Sequence, residues 1–409
     1  MDASSPITID ESSARYEGWR IVAVCFLVAT FGWAFGFYGQ SVYLAELHRA
    51  HGWPASLISG ATTFFYLFGA LVVVFVSEAV KKFGPRGCLI AGTCATAIAA
   101  IALGQVREPW QLYIVAAMLA FGWAGMSLGM ITNTLGLWFN KKRGMAISLA
   151  LNGASFGGIA GVPLLVIAIA HFGFSTAMIV AAGVMLVLVV PTVLIFVGKP
   201  PLLLHGAVTS TADAVSSTQI RSRALRDIAF LSVTTAFALV LFAQVGFIVH
   251  LISFLDPVIG RASATTAIAL LTAMAVIGRV LFSTVIDRLN QRLASALSFM
   301  SQAAALLVLI NFRNEAALIA ACGVFGFSVG NLITLPSLIV QREFDPHSFG
   351  VLVSLQTAIA QVTYAFGPGV VGVLRDLSGS YTLPFYGCIA LELTAAVLIM
   401  IRGRRAKAA

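Results

Sequence analysis

The stretch FSTAMIVAAGVMLVLVVPTVLIFV, Phe174–Val197, carries no charged side chain. A membrane-spanning helix needs about 20 mostly apolar residues, and this run supplies them. Its apolar positions are continuous and do not alternate every second residue, which excludes a strand of a membrane barrel. Lipid leaves only helices and closed barrels able to satisfy a backbone, so the segment reads as a helix. Lys199-Pro200-Pro201 stops it.

Runs of the same kind recur on both sides. Before it lie spans near 20–46, 56–80, 87–106, 110–137 and 145–170. After it come 227–253, 263–286, 293–312, 315–340, 348–374 and 382–401. The one long polar connection, 198–226, holds a Ser/Thr/Ala stretch followed by Arg221, Arg223 and Arg226, and it divides the chain six plus six. The spacing predicts an all-α membrane protein of twelve transmembrane helices in two pseudo-symmetric six-helix bundles, 20–197 and 227–401. An N-terminal tail 1–19, the linker 198–226 and a basic tail 402–409 complete it.

Composition agrees. Charged residues make up 10% and hydrophobic ones 59% of the 409, with mean hydropathy +0.96; a soluble domain carries roughly 25% charged residues. The net charge of +9 does not form a nucleic-acid patch, because the basic residues sit in short clusters between apolar runs. Counted by alternate loops, nineteen Lys and Arg fall on the side of the termini and linker. Only Arg49, Arg107, Arg261, Arg313 and Arg375 fall on the other. The positive-inside rule therefore puts both termini in the cytoplasm. Residues 1–17 lack the apolar core of a signal peptide, so the first helix is expected to be retained. Cys25, Cys88, Cys94, Cys322 and Cys388 lie within or at the ends of apolar runs without CxxC spacing, which indicates neither zinc nor a disulfide framework.

The halves echo one another. The loop after span 2, Ser77-Glu78-Ala79-Val80-Lys81-Lys82-Phe83-Gly84-Pro85-Arg86, has its counterpart after span 8 in Ser283 to Arg292, with Asp287, Arg288 and Arg292. Parallel repeats of this kind mark transporters. On these loops the chain resembles the major facilitator superfamily, whose G-x-x-x-D-R-x-G-R signature recurs between helices 2 and 3 and between 8 and 9. In the first copy Ser77 and Lys81 replace the Gly and the Asp, and Glu78 stands one turn earlier as a substitute for charge pairing between helices. The resemblance implies conformational roles for Glu78, Lys81, Lys82, Gly84, Arg86, Asp287, Arg288 and Arg292.

A finer likeness follows. Trp138-Phe139-Asn140-Lys141-Lys142-Arg143-Gly144-Met145-Ala146, followed by Asn152-Gly153-Ala154-Ser155-Phe156-Gly157-Gly158, resembles the signature leading into helix 5 of the monocarboxylate-porter family. Glu17-Gly18-Trp19 resembles that family's first signature, and Arg279 occupies the place of its substrate-anchoring helix-8 arginine. The bacterial oxalate/formate exchanger shares that arginine. Ala275 stands where the eukaryotic carriers have an Asp, and Phe37 where they have a helix-1 lysine. The exchanger's helix-11 lysine has no counterpart between Ser348 and Leu374.

Arg279 stands out on physical grounds as well. It lies eight residues before Asp287, so it sits roughly 12 Å into the membrane. Inserting arginine there costs about 2.5–3.5 kcal/mol, so the group needs an aqueous cavity and an anion. The anion is either a carboxylate substrate, gripped by the planar fork, or a permanent acidic neighbour, for which Glu392 is the one clearly mid-span acid. His250, near one end of span 7, is read as proton-linked or as an ordinary hydrogen-bonded histidine. Glu392 is read as a proton carrier or as a packing-buried acid. Tyr38, Gln40, Asn133, Asn152, Gln244, Asn331, Gln361 and Tyr364 lie at mid-span depth and are the candidate cavity lining; singly, each would equally serve interhelical hydrogen bonding. Gly153, Gly157, Gly158, Gly161 and Pro163 in span 5, and Gly367, Pro368 and Gly369 in span 11, suit close packing and bending in corresponding helices of the two halves.

No phosphate loop, metal-spaced cluster or catalytic triad is present in the sequence. The expectation is a non-enzymatic secondary transporter without cofactor, a functional monomer in a bacterial inner membrane. It would move a small organic anion, a monocarboxylate, by proton symport or anion exchange. A drug or metabolite exporter of the same fold is the alternative, and a membrane sensor the third reading.

Overall fold

The computed structural model describes residues 11, 13, 16–139, 142–198, 217–285, 289–332, 334–345 and 348–401, and among these every regular element is helical. Ten helices are long and apolar enough to cross a membrane. One of them, Ile228–Phe282, is long enough to cross twice and breaks at Gly260, whose φ of 78° and ψ of 162° only glycine adopts readily. With the shorter apolar Thr382–Leu398, the chain makes twelve crossings.

In chain order these are α1 (Gly18–His51), α2 (Ala55–Val73, prolonged by 76–83), α3 (85–103), α4 (Pro109–Gly136), α5 (Arg143–Phe172), α6 (Phe174–Phe196), α7 (228–259), α8 (261–285), α9 (Gln291–Asn311), α10 (Glu315–Leu332 and Leu335–Glu343), α11 (Phe349–Ala365 and Gly367–Ser378) and α12 (Thr382–Leu398). Gly84 separates α2 from α3 with nearly the same dihedrals as Gly260, and Pro85 then starts α3, where its missing N–H costs nothing. In the linker, Ser217–Ala224 forms a short helix.

Small residues set the packing, as lipid offers no hydrophobic drive between helices. In the first half, α5 approaches α1 so closely that a Cβ on Gly157 would collide with the carbonyl of Thr30. In the second half, α11 meets α7 equally closely, Gly367 lying against the carbonyl of Phe242. The corresponding helices are also irregular at corresponding places. A π-helical turn occupies Gly157–Gly161 in α5, and α11 breaks at Phe366 ahead of Gly367-Pro368.

The repeated loops diverge. Arg292, at the start of α9, is 1% exposed and fully engaged. Its Nε and Nη2 donate to the two Glu343 carboxylate oxygens at 2.8 and 2.7 Å. Nη1 donates to Ser232 Oγ and to the carbonyls of Ile399 and Ile401, and Nη2 also to the carbonyl of Ala229. One guanidinium thus ties α7, α9, α10 and the end of α12. The matching Arg86 is exposed, as are Glu78, Lys81 and Lys82. Glu78 forms no ion pair among the described residues. Among the described residues, the exposed Glu78 does not form the charge pairing expected of it. Asp287 and Arg288 lie outside the described residues.

Aromatic packing takes the place of that charge network in the first half. The Tyr16 hydroxyl donates to the carbonyl of Trp138, and Tyr16 and Trp19 both pack edge-on against Phe139. Burial, with Glu11 and Glu17 nearby, holds the Tyr16 phenol above its ordinary value, which keeps its proton on for this bond. Glu11 also accepts from the backbone N–H of Lys142 at 2.7 Å, capping α5 from a distant segment.

Among the described residues, the hydrogen bonds and ion pairs joining the halves gather towards the end opposite the termini. Arg49 pairs with Asp256 at 2.6 Å, and Arg261 with Glu46. The α2 N-terminus has no cap of its own; Asp376 of α11 accepts from the N–H groups of Ala55 at 3.3 Å and Ser56 at 2.7 Å. Deeper, the Gly369 N–H donates to Thr63 Oγ1. The structure is closed at this end.

Candidate functional site

Arg279 lies on α8, between Gly330 of α10 and Tyr38 of α1. Gly330 on α10 makes room for the carbonyl of Ala275, which a Cβ there would strike, and this draws α10 against α8. The Gly330 carbonyl then receives Arg279 Nε at 3.3 Å. Arg279 is half-buried and pairs with no carboxylate among the described residues. Among the described residues, no permanent ion pair claims it, and a planar fork with donors left over is suited to an anion.

Tyr38 faces it from the other half, within electrostatic range of the guanidinium. It ends a π-helical turn, Ala34–Tyr38, that lies beside the π turn of α5. Such turns widen a helix locally and recur at functional sites. Gly158 on α5 is what lets Tyr38 meet Thr272 of α8: a Cβ there would lie 2.9 Å from the Tyr38 ring and collide with Thr272.

An aromatic wall completes the centre. Tyr66 on α2 and Tyr364 on α11 meet edge to face across the halves, centroids 5.7 Å apart. Phe37 stacks edge-on with Tyr38 at 5.0 Å and reaches Tyr66 at 6.4 Å. The Tyr66 hydroxyl is buried without a hydrogen-bond partner among the described residues. It also lies within electrostatic range of the phenols of Tyr38 and Tyr364.

The remaining candidates distribute differently. Gln244 turns inward to α9 and accepts from Gln302 at 3.4 Å, so it is an interhelical bond within the second half and not cavity lining. Gln40 accepts from Thr62 beside a cavity of about 20 Å³ inside the first half, roughly the room one water needs. Asn133 donates to the carbonyl of Gly129 on its own helix. Asn331, next to Gly330, is 2% exposed with its Oδ1 unpartnered. Asn152 and Gln361 are half-buried.

His250 is fully buried and bridges three helices. Its Nε2 lies 3.0 Å from the carbonyl of Pro368, in the first turn of the second segment of α11, and its Nδ1 lies 3.1 Å from the Tyr381 hydroxyl. In the neutral ring Nε2 therefore carries the proton, since a carbonyl only accepts. Burial pushes the Tyr381 phenol up to about 12, so it remains a donor. Glu392 is 0% exposed, with neither carboxyl oxygen bonded, on the side of α12 that packs onto α7 and α9.

The family model of the Major Facilitator Superfamily matches residues 23–368. The chain belongs to that superfamily. It is 27% identical to the MFS-type transporter pynF of Aspergillus niger, over 91% of this chain and 84% of the relative. It is 25% identical to monocarboxylate transporter 13 of Bos taurus, over 90% and 85%. It is also 22% identical to the aspyridones efflux protein apdF of Emericella nidulans, over 92% and 74%. The crystal structure of the nucleoside transporter NupG shares the fold, with a TM-score of 0.77 at 11% identity, covering 93% of this chain and 99% of that one.

Within this major facilitator transporter, Tyr38 lies within electrostatic range of Arg279, and Tyr66 connects Tyr38 with Tyr364. Tyr66, Phe37, Thr272 and Gly158 were not among the cavity-lining candidates read from the sequence. Phe64-Phe65-Tyr66 reads from sequence as apolar bulk. Its only polar signal is one phenol, in a segment, Ala55–Val73, whose other hydroxyls, Ser56, Ser59, Thr62 and Thr63, all precede it.

Proposed function

We propose that this transporter carries a small organic anion, a monocarboxylate, by alternating access, with Arg279 as the anchor. The observation that carries the reading is a guanidinium at the junction of the halves with one backbone carbonyl as partner and no carboxylate among the described residues. An intramembrane charge of this kind defaults to function. Similarity to monocarboxylate transporter 13 and the helix-5 signature support the same substrate class. With the termini cytoplasmic, as the charge count indicates, the closed end is the outer one and the conformation faces inward.

The test is uptake of labelled carboxylates into proteoliposomes, with the wild type and Arg279→Lys, at two pH gradients. Arg279→Lys keeps the charge but loses the bidentate fork, and uptake should fall at least about tenfold. Unchanged uptake sinks the anchoring role. Stimulation by an inward proton gradient marks symport; dependence on internal anion marks exchange.

Export of a metabolite is the second reading, favoured by the aromatic wall and by similarity to an efflux protein. It predicts that Arg279→Gln is tolerated and that uncharged compounds are carried.

A further inference from the structure

We infer that the central site selects aryl carboxylates bearing a second hydrogen-bonding group on the ring, and discriminates against two- and three-carbon acids. The inference rests on the anchoring role of Arg279 and adds what surrounds it. Tyr38 lies within electrostatic range of the cation, and Phe37 and Tyr66 from the first half and Tyr364 from the second continue from it as an array of ring-to-ring contacts. Aromatic pairs contribute beyond the area they bury, and most when edge meets face, the geometry these rings already adopt with one another. A flat substrate ring extends that array; acetate or pyruvate has nothing to place in it.

The Tyr66 hydroxyl supplies the second element. Tyr66 is 3% exposed and its hydroxyl has no hydrogen-bond partner among the described residues. A buried polar group left unpaired is costly, so positions like this one persist where another molecule completes the bond. Thr62, one turn earlier on α2, spends its hydroxyl on Gln40 and Ile58 and does not serve Tyr66. Tyr38 and Tyr364 lie within electrostatic range but give Tyr66 no hydrogen bond. A ring substituent that accepts or exchanges a hydrogen bond, such as a phenol or ether oxygen, satisfies the orphan while the carboxylate sits on Arg279. The same hydroxyl penalises a ring that lacks such a substituent. A site built to bond a polar group rejects the analogue without it far more strongly than an apolar pocket distinguishes one methylene.

The experiment is ligand-induced thermal stabilisation of the purified full-length protein, which reads binding whatever the direction of transport. The probes are acetate, pyruvate, benzoate, 4-hydroxybenzoate and benzamide, with the wild type and Tyr66→Phe. The aryl acids are expected to bind at least about tenfold more tightly than pyruvate or acetate. The ratio of 4-hydroxybenzoate to benzoate affinity should fall by about tenfold in Tyr66→Phe, one hydrogen bond's worth. Because the ratio is taken within one variant, a general loss of stability cancels. Equal binding of pyruvate and benzoate overturns the aromatic selection. An unchanged ratio in Tyr66→Phe overturns the role of the hydroxyl. Benzamide binding as tightly as benzoate overturns the carboxylate anchor instead, and is distinguishable because the preference for rings over acetate would persist.

Discussion

Asp376→Ala should release the closed end of the molecule. Among the described residues, the Asp376 carboxylate is the only side-chain acceptor on the first two N–H groups of α2, and it comes from the opposite half. Every transition that separates the halves at this end must break both bonds. Hydrogen bonds to a charged group contribute about 1.5–3 kcal/mol each. The Ser56 bond is short at 2.7 Å, the Ala55 bond is long at 3.3 Å, and the carboxylate is 20% exposed. After allowing for rehydration of both partners in the open form, the latch is worth about 2–3 kcal/mol, or about 30- to 150-fold in the opening equilibrium. If about 1% of wild-type molecules are open at this end, the variant should be about a quarter to three-fifths open. Spin labels at Arg107 and Arg313, in loops of opposite halves at that end, give the distance distribution directly. A second, longer distance should grow in Asp376→Ala and grow less in Asp376→Asn, which keeps an acceptor oxygen. An unchanged distribution in both variants, with the fold intact, refutes the latch.

Three further outcomes follow from the packing. Arg292→Ala leaves Glu343 and several carbonyls unpaired in a buried site and should lower thermal stability by about 3–5 kcal/mol, whereas Arg86→Ala, exposed and without such partners, should stay within about 0.5 kcal/mol; thermal unfolding of both proteins in one detergent checks this. Gly158→Val should abolish most transport while the protein remains monodisperse, because the new side chain enters the space of Tyr38 and Thr272; partial rescue by Thr272→Ser on size exclusion and uptake would confirm the collision. Glu11→Ala removes the remote cap of α5 and should cost about 0.5–2 kcal/mol locally; amide exchange at Lys142 and the residues after it should quicken, with little change in the second half.

Much of this molecule was legible in its sequence. Hydropathy alone yields twelve crossings, because the demand for about 20 apolar residues per span is local. Arg279 was legible for the same reason: a charge inside an apolar run is conspicuous without any knowledge of the fold. Other features were not. Gln244 and Tyr38 look equivalent in sequence, each a polar group in mid-span, yet one turns to Gln302 within a bundle and the other to Arg279 across the halves. The phase of a helix about its own axis decides that, and in lipid an almost uniformly apolar sequence carries little information about phase. Arg86 and Arg292 occupy equivalent loop positions with opposite fates, since only the second half provides a carboxylate, Glu343, at the facing helix end; Trp138 lies in the corresponding region of the first.

The sequence by itself therefore determined the number of helices, their division into halves and the one arginine set within a span, a charge that lipid alone would not tolerate. Only the tertiary structure decided which phenols surround that charge, which carboxylate caps α2 and which glycines let the halves touch. Those depend on groups hundreds of residues apart being brought within a few ångströms, a matter of packing geometry that no local run of residues encodes.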